Sequence, residues 1–331
     1  MRLAVLSEVC MPEPRDLEKN DLSGQMQKVV LAAELYYVYH LTQEQIAKRL
    51  SVSRPWVSKL LQRAEDAGIV RIDVSTFSSG ISDVEEKLKS KFNIRSAKVI
   101  KPMPDGQTLP QCALAAAHYL ISIMEPDSCI GLAWGKTLAA VVDAILPMNM
   151  PDAMVVPLVG GLGANPNVLS NQLAANLAQT LGSRCSLLHV PAFVGGREEK
   201  HLLLNNPMIR KTIELSEHAD IAIFGIGALH QSTIVREGYI SRDIISELEN
   251  AGAVGDIALH FIDAQGRLID HPISDQIVSG DISKTRSNAR HAIGVAVGDA
   301  KVPVIRAALG GRWLDALITD LPTANLLLGG S

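Results

Sequence analysis

The chain has 331 residues, an apolar fraction of 47% and an aromatic fraction of only 4%. Its formal net charge of −4 excludes a protein that is basic over its whole surface, so any binding to nucleic acid has to be local. The length predicts a small domain joined to a larger one. A core of aliphatic residues with few aromatics favours an α/β fold around a buried parallel sheet.

Cysteine spacing and hydropathy argue against two further classes of protein. The cysteines contain no CxxC pair and predict neither a disulfide framework nor a metal site. No apolar run reaches the ~18 residues that a transmembrane helix needs. Residues 1–24 have one short apolar patch followed by charge and proline, which predicts a flexible polar tail and not a secretion signal. We therefore expect a cytoplasmic protein with no membrane contact and no metal or other cofactor.

Residues 25–74 predict a helix-turn-helix DNA-binding domain. A first helix over residues 25–40 has a broad apolar face. Thr42, with Gln45 three residues later, forms the capping box that begins a second helix. A tight Ser-Val-Ser turn then leads to a third helix, for which Ser53 is the N-cap.

The third helix combines an apolar face with a polar, mainly basic one. Recognition helices present their N-terminal residues to base edges while cationic side chains hold phosphates. The polar face predicts these DNA-binding residues: Arg54, Trp56, Ser58, Lys59, Gln62 and Arg63. An alternative is that this unit binds a protein through an exposed Trp56.

Residues 75–83 are rich in small side chains and predict a linker to a large domain over residues 84–331. Strands and helices alternate in that domain, which predicts a parallel sheet covered on both faces. The predicted strands cover residues 96–100, 128–133, 154–159, 221–227, 257–263 and 316–320. The predicted helices cover residues 84–92, 111–124, 137–145, 169–181, 207–218 and 323–328.

Glycine-rich turns follow or flank several predicted strands, at residues 134–137, 160–163, 225–227 and 255–256. Ligands of open α/β sheets bind beyond the carboxyl ends of the strands, so these turns predict one pocket. The turn at residues 134–137 begins a helix whose N-terminal amides can hold a phosphate. Its spacing is one residue short of a nucleotide-binding P-loop, which argues against nucleotide hydrolysis.

Four residues near the predicted pocket each allow two interpretations. Asp256 is either an acceptor for sugar hydroxyls or the cap of a turn. Lys301 either neutralises a phosphate or is solvated. Gly225 and Gly227 lack a full dinucleotide-binding pattern, which favours close backbone packing as their role.

Several segments together resemble the SorC family of sugar-responsive bacterial transcriptional regulators. They are "YYVYHLTQEQIAKRLSVSRPWVSKLLQRAEDAGIVRI", "GLAWGKTL", "PLVGGLG", "NQLAANLA", "GAVGDIALHFIDAQG" and "KVPVIRAALGGRWLDALITDLPTANLLL". The resemblance covers nearly all of residues 25–329. It implies an effector-binding and oligomerisation domain similar in fold to sugar-phosphate isomerases and deaminases. It also implies a phosphorylated sugar or polyol as effector, and a homotetramer or homodimer on a pseudo-palindromic operator.

The resemblance also assigns effector-binding residues. They are Gly135, Lys136 and Thr137 in a phosphate loop, Gln172, Arg236 and Asp256 as polar contacts, and Lys301 as a basic anchor. Some members carry an arginine for a second phosphate where this chain has Val159, which favours a monophosphate. The alternative function is a sugar-phosphate isomerase or deaminase with an appended DNA-binding domain, with Asp256 as the general base.

Overall fold

The computed structural model describes residues 25–39, 41–67, 69–70, 79–103, 106–161, 169–236 and 238–329. The predicted tail over residues 1–24 lies outside these residues. The chain divides into two compact units, Met1–Ser75 and Thr76–Ser331. No helix in the described part of the chain is long and apolar enough to cross a membrane.

Three helices form the described part of the first unit. Helix α1 covers residues 25–38, of which Glu34–Val38 widen into a π-helix. Helices α2 (Gln43–Arg49) and α3 (Arg54–Asp66) follow. Both predicted caps are confirmed: Thr42 and Gln45 form a capping box, and the Ser53 side chain accepts from the Trp56 amide. These caps fix where α2 and α3 begin, and therefore fix the turn between them.

The core of the first unit is the apolar face of α3 packed with its two neighbouring helices. The buried α3 residues are Val57, Leu60, Leu61 and Ala64, which are the residues expected from helical periodicity. In the turn before α3, Ser51 adopts a left-handed backbone with φ of 53°. The apolar face is thus fixed inward, and the polar face of α3 is left for a partner.

The second unit is built around a nine-stranded sheet. Its strands are β1 (Ser96–Ile100), β2 (Cys129–Leu132), β3 (Met154–Pro157), β4 (Arg184–Cys185), β5 (Ile221–Ala228), β6 (Ala253–Ile257), β7 (His260–Asp263), β8 (His291–Val295) and β9 (Ala316–Asp320). The main path has the order β1-β9-β8-β5-β2-β3-β4, and every pairing along it is parallel. The predicted parallel-sheet α/β fold is confirmed.

Helices surround this sheet. They are α4 (Ser79–Phe92), α5 (Thr108–Ile123), α6 (Lys136–Asp143), α7 (Ser170–Leu181), α8 (Arg197–Leu204), α9 (Pro207–Glu217), α10 (Thr233–Arg236), α11 (Arg242–Asn250), α12 (Ile282–Asn288), α13 (Val302–Gly310) and α14 (Leu321–Gly329). Short 3-10 turns lie at Pro272–Asp275 and Asp299–Lys301. The central strand β5 is buried from Ile221 to Phe224.

The predicted linker is wrong for residues 79–83, because α4 already begins at Ser79. Ile81, Val84 and Leu88 have the three-and-four spacing of one helix face, and Leu88 is fully buried. The small residues suggested a linker, but the apolar spacing determines the structure. The remainder of the predicted linker, residues 75–78, lies outside the described residues.

The prediction of a single strand over residues 257–263 is also wrong. Strands β6 and β7 form an antiparallel hairpin attached to β5, and the chain reverses at Ala258 and Leu259. Both residues have positive φ, 48° and 70°, as a two-residue hairpin turn of this kind requires. Side chains with a Cβ adopt this conformation at a cost, so the turn needs support from its surroundings.

Candidate functional site

A cavity of about 360 Å³ lies where the carboxyl ends of β2, β5 and β8 meet. These three strands are adjacent in the sheet, so the loops that follow them converge at one edge. The lining comes from residues 134–137, 225–228, 231–233, 236, 256 and 297–301. Its volume is in the range of small-molecule sites.

The loop after β2 brings a helix N-terminus to the cavity. Gly135 has φ of 112°, a conformation that disfavours other residues, and it lets the chain turn directly into α6. The first amides of a helix have no acceptor within the helix, and no side chain in the described residues caps α6. The amides at the start of α6 are therefore available to an anion, with Thr137 in the first turn.

The hairpin β6–β7 places Asp256 in the cavity wall. Asp256 is only 5% exposed, and its Oδ2 accepts a hydrogen bond from the Leu259 amide at 3.0 Å. Burial raises the pKa of this carboxyl to about 7, while the Leu259 bond and the positive charge of Lys301 act in the opposite direction. Asp256 therefore caps the hairpin turn, and it also lines the cavity.

Three cations line the cavity with this carboxyl, namely Lys136, Arg236 and Lys301. Lys301 follows the loop after β8, immediately before α13, and burial lowers the pKa of its ammonium group. Asp256 raises that pKa, and Arg236, at the end of α10, lowers it. The lining residues of opposite sign are Asp256 and Asp299, so cationic side chains outnumber acidic ones in the cavity wall. Such a site favours an anionic ligand.

Six of the seven predicted effector residues line this cavity, and Gln172 does not. Gln172 is exposed on α7, and its Nε2 donates to Asn176 Oδ1 at 2.7 Å. The glycine turn at residues 160–163 is described only as far as Gly161, and of its described glycines neither Gly160 nor Gly161 is among the lining residues. The cavity is therefore formed mainly by the loops after β2, β5 and β8.

The turn after β5 contributes residues that the sequence did not indicate, namely Gln231, Ser232 and Thr233. They follow the Gly225–Gly227 segment, which we assigned to backbone packing. Close packing is observed at Gly225, where a Cβ would lie 2.9 Å from the Trp134 carbonyl oxygen. Gly225 and Gly227 also line the cavity, which the packing interpretation did not include. The only sequence signal for this loop was its position after a buried strand.

The polar face of α3 forms a second candidate site, in the first unit. All six predicted DNA-binding side chains are exposed there, including Trp56 at 43%. Gln62 bonds to Asp66 at 3.3 Å, and Arg63 bonds to Gln25 of α1 at 3.2 Å. Among the described residues, these bonds distinguish the carboxyl-terminal half of the face from its amino-terminal half, where the remaining four side chains lie.

Comparisons with known proteins match both units. The family described as "Putative sugar-binding domain" matches residues 78–329. The sorbitol operon regulator of Klebsiella pneumoniae is 31% identical over 329 residues, which cover 92% of this chain and 99% of the relative. The deoxyribonucleoside regulator of Bacillus subtilis (strain 168) is 30% identical over 317 residues, which cover 95% of this chain and 99% of the relative.

Solved structures agree with these relatives. The crystal structure of the full-length sorbitol operon regulator SorC from Klebsiella pneumoniae superposes with a TM-score of 0.72 at 27% identity, and covers 92% of this chain and 99% of that one. A DeoR family transcriptional regulator from Listeria monocytogenes superposes with a TM-score of 0.71 at 26% identity, over 75% of this chain and all of that one. The relatives named here are regulators, and the first of them aligns along both units.

Proposed function

The chain belongs to the SorC family of sugar-binding transcriptional regulators, and we propose that the cavity at the ends of β2, β5 and β8 binds its effector, a phosphorylated sugar or polyol. The chain is a regulator and not an isomerase or deaminase, because its relatives over almost the whole length are regulators. The observation that carries the proposal is the meeting of an uncapped helix N-terminus, a partly buried lysine and a buried carboxyl in one cavity.

The phosphate is assigned to the side of the cavity formed by Gly135, Lys136 and Thr137. Amides at the start of α6 donate to phosphate oxygens, and Lys301 supplies charge. A phosphate also favours the charged form of Lys301, which burial alone disfavours. Val159 is fully buried and pairs with Ser279, so this position offers no cation for a second phosphate. This supports a monophosphate.

We expect D-glucitol 6-phosphate or 2-deoxy-D-ribose 5-phosphate to raise the melting temperature, and the unphosphorylated compounds to have little effect. These probes follow from the names of the two relatives. A ligand at 100 times its dissociation constant stabilises the native state by about 2.7 kcal/mol. Lys301→Met should weaken binding about 10-fold to 100-fold, as expected for a lost charge-assisted hydrogen bond. Differential scanning fluorimetry and calorimetric titration measure both effects.

Lys200→Met is the matched control, because burial also lowers the pKa of Lys200 but this lysine does not line the cavity. Equal losses for Lys301→Met and Lys200→Met would remove the anchor role of Lys301. If phosphorylated and free sugars raise the melting temperature equally, the effector is not recognised through a phosphate.

For the first unit we propose that α3 is the recognition helix. Arg54, Ser58 and Lys59 lie at the exposed amino-terminal part of its polar face, where recognition helices meet base edges. Trp56, Gln62 and Arg63 complete the proposed DNA-binding face. A homodimer or homotetramer would present two such helices to the half-sites of a pseudo-palindromic operator, about 34–36 Å apart.

The variant Arg54→Ala/Lys59→Ala should lose at least about 30-fold in affinity for DNA, because each lost contact of this kind is worth about 1–3 kcal/mol. The DNA is a duplex selected by the wild-type protein from a random library, and fluorescence anisotropy measures binding across salt concentrations. The salt dependence should also become shallower, since fewer phosphate contacts release fewer counterions.

Lys28→Ala removes an exposed cation from α1 of the same unit and should leave DNA binding nearly unchanged. If the double variant binds as tightly as wild type, α3 is not the recognition helix. Binding that does not depend on salt would favour the protein-binding alternative centred on Trp56.

A further inference from the structure

Ser232 carries a buried hydroxyl that the fold itself does not use. The residue is 8% exposed and lines the effector cavity, and its Oγ has no hydrogen-bond partner among the described residues. Its carbonyl accepts from the amides of Val235 and Arg236, so Ser232 directly precedes the short helix α10. A serine at that position commonly caps the helix with its side chain, but this one does not. A buried polar atom without a partner destabilises the free protein and needs an explanation.

The position of Ser232 relative to Asp256 offers an explanation for this hydroxyl without a partner. A Cβ built on Gly227 would lie 2.1 Å from Asp256 Oδ1 and 3.2 Å from Ser232 Cβ. The two polar side chains therefore flank the same point on β5, and Gly227 places no side chain between them. Among the described residues, the Leu259 amide is the one hydrogen-bond partner of the Asp256 carboxyl, and it donates to Oδ2. Oδ1 and the Ser232 hydroxyl are thus neighbouring polar groups in one wall of the cavity.

We propose that Ser232 and Asp256 together bind two adjacent hydroxyls on the carbon chain of the effector, so that the site selects a vicinal diol. The inference rests on the proposed phosphosugar site. A carboxyl oxygen accepts from one hydroxyl, and the serine hydroxyl, which both donates and accepts, pairs with the other. Ser232 reaches the ligand by rotation about its Cα–Cβ bond. A site built for a hydroxyl rejects the analogue that lacks it, because its own polar groups are then left unpaired.

The test is calorimetric titration of wild-type protein and Ser232→Ala with D-ribose 5-phosphate, 2-deoxy-D-ribose 5-phosphate and D-glucitol 6-phosphate. For wild type we expect tighter binding of D-ribose 5-phosphate and D-glucitol 6-phosphate, because 2-deoxy-D-ribose 5-phosphate in its predominant furanose form has hydroxyls on C1 and C3 only and so carries no adjacent pair. Ser232→Ala should weaken these two about 10-fold to 100-fold and change the deoxy probe little, so that discrimination is lost. The melting temperature of the free variant should stay the same or rise, because the deleted hydroxyl had no partner.

Thr319→Val is the matched control. Thr319 carries another buried hydroxyl without a partner among the described residues, and it does not line the cavity. Its replacement should leave all three affinities unchanged. If Ser232→Ala unfolds the protein, Ser232→Cys preserves the shape with a much weaker donor and replaces it in the titrations.

The outcomes separate this inference from the function on which it rests. If wild type binds the probes and Ser232→Ala binds each of them equally well, the diol contact is overturned and the phosphosugar site stands. The same holds if both proteins bind the deoxy probe as tightly as ribose 5-phosphate. If wild type binds none of the three probes and no inorganic phosphate, the proposed function falls, and the diol contact falls with it.

Discussion

Asp256→Asn is expected to stabilise the free protein above pH 7 while it weakens effector binding. Burial raises the pKa of Asp256 from 3.8 to about 7. Below pH 4 the carboxyl is protonated in both native and unfolded chains, so it contributes no pH dependence. Between pH 4 and 7 the unfolded chain releases its proton and the native chain retains it. The free energy of unfolding therefore falls as pH rises through this window.

The size of the effect follows from the same shift. Each pKa unit corresponds to about 1.4 kcal/mol, so a shift of about three units gives an upper value of about 4 kcal/mol above pH 7. Asparagine cannot ionise, and its carbonyl oxygen can still accept from the Leu259 amide. Urea unfolding at pH 4, 6 and 8 should show equal stability at pH 4 and a growing advantage for Asp256→Asn at higher pH.

Asp263→Asn is the control, because the pKa of Asp263 is lowered whereas that of Asp256 is raised. Hydrogen bonds from the Arg267 amide are the main cause that lowers the pKa of Asp263, so its contribution is lost only as pH falls into the acidic range. This variant should not alter the slope of stability between pH 5 and 8. A profile for Asp256→Asn that runs parallel to wild type throughout would show that Asp256 is ionised in the native protein at ordinary acidic pH.

The origin of this site explains what could be predicted from the sequence. Parallel strands followed by glycine turns predicted a pocket at one sheet edge, because strand–helix alternation and the conformation of glycine are local properties. The hairpin that carries Asp256 was missed since its turn residues, Ala258 and Leu259, are poor formers of a turn with positive φ. Their conformation is stabilised by a side chain, and no local pattern reports that bond.

Ser232 and Gln172 both show that local sequence does not identify every residue of the cavity: Ser232 was missed, and Gln172 was predicted but does not line it. Ser232 has no motif around it, and its importance comes from a hydroxyl left without a partner, which depends on the packed structure. Gln172 was assigned through family resemblance, yet its side chain bonds to Asn176 on the surface of α7. On α3, in contrast, caps and helical periodicity are local signals, and there the buried and exposed faces follow directly from sequence.

Gly227→Ala is expected to disrupt the site more completely than loss of any single polar group. A Cβ at this position would lie 2.1 Å from Asp256 Oδ1, far inside the closest contact that real Cβ atoms make. Gly227 and Asp256 pair directly across β5 and β6, so neither backbone can move without breaking the sheet. The carboxyl has to rotate away, which breaks its bond to Leu259 and removes support from the turn at Ala258. We expect effector affinity to fall at least about 100-fold and stability to fall by about 1–3 kcal/mol, as for overpacked cores.

A double-mutant cycle identifies the cause of that loss. In an Asp256→Ala background the clashing carboxyl is absent, so adding Gly227→Ala should cost at least about 1 kcal/mol less than in wild type, as measured by urea unfolding. Gly310→Ala is the control glycine, since a Cβ there meets nothing within 4 Å. Because Gly310 is helical, alanine at that position should be neutral or slightly stabilising. Equal costs of Gly227→Ala in both backgrounds would mean that Gly227 is required for packing unrelated to Asp256, and the paired arrangement of these two residues would no longer explain the site.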